Sequence, residues 1–265
     1  MKPTSTTLGN FQPLVDNILT GLKTCANKSN FPRESGSRKQ KKKDLKIIGG
    51  VTTSEHDWPW LVYLEMGCGG TIIHEEWVLT AAHCCEGEQT IEARFGLHNT
   101  NDGAVSLKTS KIHIHPEYGQ KSDGDPENSD WCLLKFDQSI IKATDNEFAT
   151  QIACLPTGPL EHGKACWIAG WGDTEYASGQ YSEEILSAGV NILGTDYCQK
   201  YSNVGKLNLD DICAGLPDFD GDGSGFSRSK HIFLSEVCVK RTKLICFYRE
   251  KPNKINRCRQ RRLPG

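Results

Sequence analysis

No apolar stretch in the 265 residues approaches the length of a membrane span, which takes about 20 consecutive apolar residues. The start of the chain, Met1-Lys2-Pro3-Thr4-Ser5-Thr6-Thr7, lacks the apolar run of a secretory signal. Helical periodicity is scarce, which argues against a helical bundle. Apolar residues make up 37% of the sequence, enough for a core but low for the whole length, so part of the chain is expected to lie outside it. No four cysteines or histidines have clean zinc-site spacing, and the adjacent Cys84 and Cys85 suit chelation poorly, so neither a metal nor a cofactor is called for. Residues 47–225 are short of positive charge, with 9 basic and 28 acidic side chains. That balance excludes a nucleic-acid-binding body, because phosphate contacts need a basic surface.

The sequence is rich in turn formers and in cysteine. With 26 glycines and 11 prolines, it reads as many short strands joined by turns. Twelve cysteines point to an oxidising compartment and a secreted protein. The cysteines outweigh the missing signal, and the N-terminus is expected to be incomplete or not the natural one. Residues 1–46 form a polar leader with 10 basic and 3 acidic side chains. Its apolar islands, Leu14-Val15 and Ile18-Leu19, predict a few helical turns but no core. Cys25 needs a partner elsewhere, and Asn27-Lys28-Ser29 is a glycosylation sequon. Arg38-Lys39-Gln40-Lys41-Lys42-Lys43 is an exposed, easily cut run, or else a localisation signal at odds with the cysteines. At the other end, residues 226–265 carry 12 basic and 2 acidic side chains. Such a tail could bind polyanions or acidic membranes, or simply be a solvated end.

Between these ends the composition changes at Ile47-Ile48-Gly49-Gly50. Strands are predicted at Trp58-Pro59-Trp60-Leu61-Val62-Tyr63-Leu64, Ile72-Ile73, Trp77-Val78-Leu79, Ile91–Phe95 and Ile112-His113-Ile114. His113 and His115 read as ordinary surface or edge residues. Residues 119–129 form an exposed loop, followed by a strand at Asp130-Trp131-Cys132-Leu133-Leu134-Lys135-Phe136. The second half holds strands at Ala165–Gly172 and Leu186–Ile192, a short helix near Tyr197 capped by Asp196, and Ile212-Cys213-Ala214-Gly215. Asp218-Phe219-Asp220-Gly221-Asp222-Gly223 looks superficially like a calcium loop. It lacks the glutamate expected at its twelfth position, where Ser229 stands. Ile232-Phe233-Leu234 and Leu244-Ile245-Cys246-Phe247-Tyr248 could be further strands. His83, in Thr80-Ala81-Ala82-His83-Cys84-Cys85, is either a core histidine or a proton acceptor.

Taken together, Ile47-Ile48-Gly49-Gly50, Thr80-Ala81-Ala82-His83-Cys84, Asp130 with Trp131-Cys132-Leu133-Leu134-Lys135, Trp167-Ile168-Ala169-Gly170-Trp171-Gly172 and Asp211-Ile212-Cys213-Ala214-Gly215 resemble the trypsin/chymotrypsin family of serine endopeptidases (peptidase S1). The resemblance runs over about residues 47–215. It implies an all-β, two-barrel fold and a zymogen cut after Lys46 by a trypsin-like activator. The new Ile47 ammonium would then fold inward onto an aspartate. It also implies His83 as general base and Asp130 as the acid that fixes its tautomer, in the Ser-His-Asp scheme that the wider chemistry of the family exemplifies. Partners would be protein or peptide substrates, the activating protease and protease inhibitors, with neither nucleic acid nor a membrane span. Disulfides implied by the resemblance are Cys68 with Cys84, Cys198 with Cys213, and Cys25 with Cys154, the last tethering a cleaved leader to the body. Cys85 and Cys132 each follow a triad member by two residues, which brings them near in space and predicts an extra bridge outside the general family pattern. Cys166 would need a partner just beyond the catalytic serine, and no residue fills that role.

The nucleophile departs from the family. Gly-Asp-Ser-Gly-Gly-Pro is absent, and the nearest text is Gly221-Asp222-Gly223-Ser224-Gly225-Phe226. Ser224 is the candidate, but Asp222 stands where the family has an oxyanion-hole glycine, and Gly223 stands where it has the aspartate that receives Ile47. Asp218 has the spacing of a specificity aspartate, within a turn where chance explains it adequately. Past Gly225 the composition shifts, as in an altered C-terminus joined to an ordinary protease body or in a divergent isoform. The expected organisation is a leader over 1–46, a protease domain over 47–225 with its second barrel incomplete, and a poorly ordered basic tail over 226–265. Function divides between a catalytically defective endopeptidase homologue and a non-catalytic secreted binding or regulatory protein.

Overall fold

The computed structural model describes residues 13–15, 18, 51–119, 129–146, 148–155, 162–172, 181–193, 211–215, 232–235, 238–239 and 243–244. Among these the architecture is all-β, with two main antiparallel sheets, one-turn helices at Ala82–Cys85 and Ile140–Thr144, and helical residues at 13–15 and 18. The first sheet is built from β2 (Leu61–Leu64), β3 (Cys68–His74), β4 (Trp77–Thr80), β5 (Glu92–Phe95), β6 (Val105–Lys108), β7 (Lys111–Ile114) and β8 (Cys132–Lys135). Their spatial order is β6-β5-β2-β3-β4-β8-β7.

The two outermost strands of that path, β6 and β7, are consecutive in sequence and separated only by Thr109 and Ser110. The Thr109 N–H donates to the Ile91 carbonyl at 3.0 Å, on the β5 side, and the Ser110 N–H donates to the Lys135 carbonyl at 2.8 Å, on the β8 side. One bent segment therefore pairs with both edges, and the sheet curls back on itself, which leaves few unpaired edge groups. Its interior holds Trp60, Leu64, Ile72, Ile91, Phe95, Leu134 and Phe136, all fully buried. Each contributes about 1.5–3 kcal/mol by leaving water. Phe95 and Phe136 meet edge to face at 5.5 Å. β6, with alternately half-buried and exposed residues, carries polar side chains that hide it from an apolar-pattern reading.

Residues from the N-terminal segment join the hydrophobic cluster. Ile18 is only 4% exposed and belongs to the buried cluster, with Leu14 and Val15 packed against it. The expectation that this island builds no core is corrected here. Positions 14, 15 and 18 share one face of a helical turn, and on that face Ile18 joins the buried cluster.

The second sheet is smaller. β1 (Val51–Thr52), β10 (Leu186–Leu193), β11 (Asp211–Gly215) and β12 (Ile232–Ser235) follow one another in space, and β9 (Ala165–Gly170) pairs with β10. β12 comes from beyond residue 225 and pairs antiparallel with β11, Ile212 opposite Leu234. β13 (Cys238–Val239) and β14 (Lys243–Leu244) form a separate two-stranded ribbon. Among the described residues the strands of the second sheet form an open path, as in an incomplete second barrel. The two sheets join where the Ile185 N–H and the Trp171 indole N–H both donate to the His98 carbonyl, at 3.0 and 3.2 Å. Tyr63 meets Trp171 edge to face at 5.5 Å across the same seam. Among the described residues no helix is long and apolar enough to cross a membrane.

Gly70 on β3 is the tightest point of the first sheet. A Cβ there would lie 2.6 Å from Val78 Cγ1 and 3.4 Å from Val62 Cβ. Both valines are fully buried and, being β-branched, hold stiff rotamers. Gly70→Ala is expected to lower stability by about 1–3 kcal/mol through overpacking, read as a lower urea midpoint. Ala at Gly103, where nothing lies within 4 Å, is expected to leave the midpoint unchanged.

Candidate active site

β4 runs out of the first sheet at Thr80, and the chain turns through Ala81 into α1 (Ala82–Cys85). This helix is one turn long and its N-cap makes no side-chain hydrogen bond. An isolated turn of this kind is not stable, since nucleation fixes several dihedrals for one hydrogen bond. Tertiary bonds hold it instead. Consecutive helical residues point about 100° apart, so Cys84 and Cys85 reach different neighbours. Cys84 is disulfide-bonded to Cys68 on β3, and Cys85 to Cys132 on β8. All four cysteines are buried.

Asp130 lies just ahead of β8, after Ser129, which adopts a left-handed φ of 60°. A tight turn follows, with the Trp131 N–H donating to the Ser129 carbonyl at 2.7 Å. Left-handed backbone at a non-glycine residue costs on the order of 1 kcal/mol and tends to collect at functional sites. Through this turn Asp130 faces α1. Its Oδ1 accepts the His83 backbone N–H at 2.9 Å, and its Oδ2 accepts from His83 Nδ1 at 2.7 Å. The His83 and Asp130 side chains are 22% and 31% exposed, so the pair is sheltered yet reachable from one side.

An ionised carboxylate only accepts hydrogen bonds, so the Nδ1 it contacts carries the proton. In the neutral ring Nε2 then holds a lone pair, and the second bond, from the His83 backbone, stops the carboxylate from swinging away. The pair can accept a proton at Nε2 and stabilise the resulting imidazolium. Cys68, His83 and Cys84 also place three donor atoms within 4.8 Å of one another. Two of these are disulfide sulfurs, which leaves a single imidazole and no thiolate for a metal.

The surroundings of Asp130 include a residue that sequence reasoning set aside. His115 stacks on Trp131 with ring centres 4.5 Å apart, and its backbone N–H donates to the Trp131 carbonyl at 3.1 Å. His115 Nδ1 accepts the Glu117 N–H at 3.3 Å, which requires the neutral ring. His113 lies 5.5 Å from the Trp77 ring, over which Lys135 Nζ also sits. Burial pushes the pKa of both histidines below 6.5, assisted at His113 by the Lys111 charge and opposed at His115 by Glu117. Neither contact has a sequence signal, because each joins residues at least 16 positions apart along the chain.

Of the sequence-predicted residues, His83 and Asp130 come together, as do Cys68 with Cys84 and Cys85 with Cys132. Cys154 is disulfide-bonded, and Cys25, its expected partner, lies outside the described residues. Lys46, Ile47, Asn27, Cys198, Asp218 and Ser224 also lie outside them, and Cys213 is described only as a backbone position on β11.

A family model described as Trypsin matches residues 47–225. The chain is 33% identical to Serine protease 1 of Homo sapiens over 179 residues, which is 65% of this chain and 68% of that protein. Trypsin II-P29 of Gallus gallus is similar at 33% identity, with the same coverage of both chains. Among solved structures, neuropsin, a serine protease expressed in the limbic system of mouse brain, aligns with a TM-score of 0.55 at 25% identity. It covers 63% of this chain and 74% of its own.

Acid sensitivity follows from the two histidines. Their folded-state pKa values lie below the ordinary 6.5, so the unfolded chain binds more protons as pH falls. The stability they contribute is complete above about pH 6.5 and is lost as pH drops through their lowered values. Replacing His113 with Asn and His115 with Gln is expected to shrink the fall in urea midpoint between about pH 7.5 and pH 5. An undiminished fall would assign the acid sensitivity to other groups.

Proposed function

The chain belongs to the trypsin family of serine endopeptidases, and from that membership we propose a zymogen-type protease homologue that keeps the proton-transfer half of the catalytic site and lacks the nucleophile half. The observation that carries this reading is the doubly bonded His83–Asp130 pair, set against a sequence in which Gly-Asp-Ser-Gly-Gly-Pro does not occur. In peptide hydrolysis by such a site, a serine oxygen attacks the carbonyl carbon as His83 Nε2 takes its proton. The carbonyl electron pair moves onto oxygen, and the proton is then delivered to the leaving amine. That sequence needs backbone donors to meet the oxyanion. Losing a single such donor costs about 3 kcal/mol, and here the segment that would supply them has Asp222 and Gly223 around Ser224 in place of the family pattern. The chain as written therefore does not turn over peptides.

Residues 1–46 serve in this reading as the pro-region, residues 47–225 as the protease body and 226–265 as a basic tail. Cleavage falls between Lys46 and Ile47, made by a trypsin-like activator, and Cys25–Cys154 keeps the leader attached. The disulfides support a secreted protein, with protein substrates or protease inhibitors as ligands of the cleft. The packing of Ile18 into the core and the disulfide at Cys154 support a leader that remains docked. A docked leader fits equally a second reading, a non-catalytic binding protein, which the missing serine motif favours.

Trypsin treatment of the intact chain is expected to expose an N-terminus at Ile47, giving one band without reductant and two with it. The cleaved protein is expected to resist a fluorophosphonate serine probe. Covalent labelling that disappears in Ser224→Ala would overturn the inactive reading, and a leader lost without reductant would overturn the tether.

A further inference from the structure

We propose that the Cys85–Cys132 disulfide is a positioning device for the His83–Asp130 pair, separate from the folding of the first sheet. The inference rests on where the bridge lies. The β4–β8 ladder ends at Thr80 opposite Cys132. Beyond that rung the two chains separate, one turning through Ala81 into α1, the other leading back through Trp131 and Asp130 to the left-handed Ser129. Between α1 and the segment that leads into β8, the structure shows two hydrogen bonds from His83 to Asp130 and the Cys85–Cys132 bridge, whose Cys132 is the last residue of the ladder.

The bridge joins the residue two after His83 to the residue two after Asp130. It closes a small ring through α1, the hydrogen-bonded pair and the start of β8, and that ring limits how far the imidazole and carboxylate can part. Cys68–Cys84 acts differently, tying α1 to β3 without touching the segment that carries Asp130 into β8. With Cys68–Cys84 alone, α1 could pivot about Cys84 and carry His83 away from the carboxylate. Two disulfides leaving one turn in different directions remove that rotation. The constraint operates whether or not a nucleophile is present, so it deepens the proposed role of the pair while being testable apart from it.

The test follows the proton between His83 Nδ1 and Asp130 Oδ2 by low-field proton NMR on the full chain, with the resonance assigned by its absence in His83→Ala. The bridge is removed in two ways, as Cys85→Ala with Cys132→Ala and as Cys85→Val with Cys132→Ala, the second refilling the buried volume. In both, the proton is expected to exchange with water about tenfold faster or more, or to broaden beyond detection. The slowly exchanging amides of β2, β3 and β5 are expected to keep their protection. Unchanged exchange of the His83 proton would overturn the proposal. Loss of protection throughout β2, β3 and β5 in both variants would overturn it equally, since the bridge would then be a requirement of the sheet rather than of the pair. Labelling by a serine probe would sink the inactive reading and leave this result untouched.

Discussion

Asp130 commits both carboxylate oxygens to one neighbour, accepting from the backbone and from the ring of His83. A single bond to Nδ1 would fix the tautomer but leave the carboxylate free to rotate about its own axis. The second bond removes that freedom, so ring plane and carboxylate plane are set together. The arrangement depends on a one-turn helix that has no independent stability and on a backbone turn that holds Ser129 at positive φ. Much of the first sheet can be read as the support for these two elements. β3 and β8 anchor α1 through disulfides, and β7 steadies the start of β8 through the His115–Trp131 stack.

The first sheet is thus complete in a way that the second is not. Its path closes through the bent segment from Val105 to Ile114, its interior is filled by Trp60, Phe95 and Phe136, and its exit presents the base and its acid. The second sheet receives β12 from beyond residue 225, yet its described strands remain an open path. In the family scheme the nucleophile and the oxyanion donors come from the region after β11, where this sequence departs from the pattern. An oriented imidazole supplies general-base assistance, which accelerates an attack that some oxygen must still make.

Most of this first half was legible in the residues. The apolar segments at Leu61–Leu64, Trp77–Thr80 and Leu186–Leu193 emerge as β2, β4 and β10, because alternating or continuous apolar runs between turn formers have few other ways to bury themselves. The spacing of Cys85 and Cys132 from His83 and Asp130 anticipated a bridge, since two chains held together at one point bring their near neighbours within reach. Three things were not legible. β6 is too polar to register as a strand and is held there by pairing with β5. Leu14, Val15 and Ile18 fit one helical face but form too short a pattern to announce a partner, and only the folded core accounts for the burial of Ile18. The His83 backbone N–H, half of the central interaction, carries no side-chain signature at all.

The pair also does structural work, and this bears on how its presence should be interpreted. His83 and Asp130 connect α1 to the chain ahead of β8, so they hold together the same two elements that the Cys85–Cys132 bridge joins. Removing the carboxylate would leave a sheltered backbone N–H without its acceptor, at a cost of about 1–3 kcal/mol. A protein that never cleaves a peptide bond would pay that cost as surely as an active enzyme. Histidine and aspartate in this geometry therefore identify the family and the proton-transfer chemistry available to it. Turnover has to be argued from the nucleophile and the oxyanion donors, where the sequence around Ser224 offers neither in the family's form.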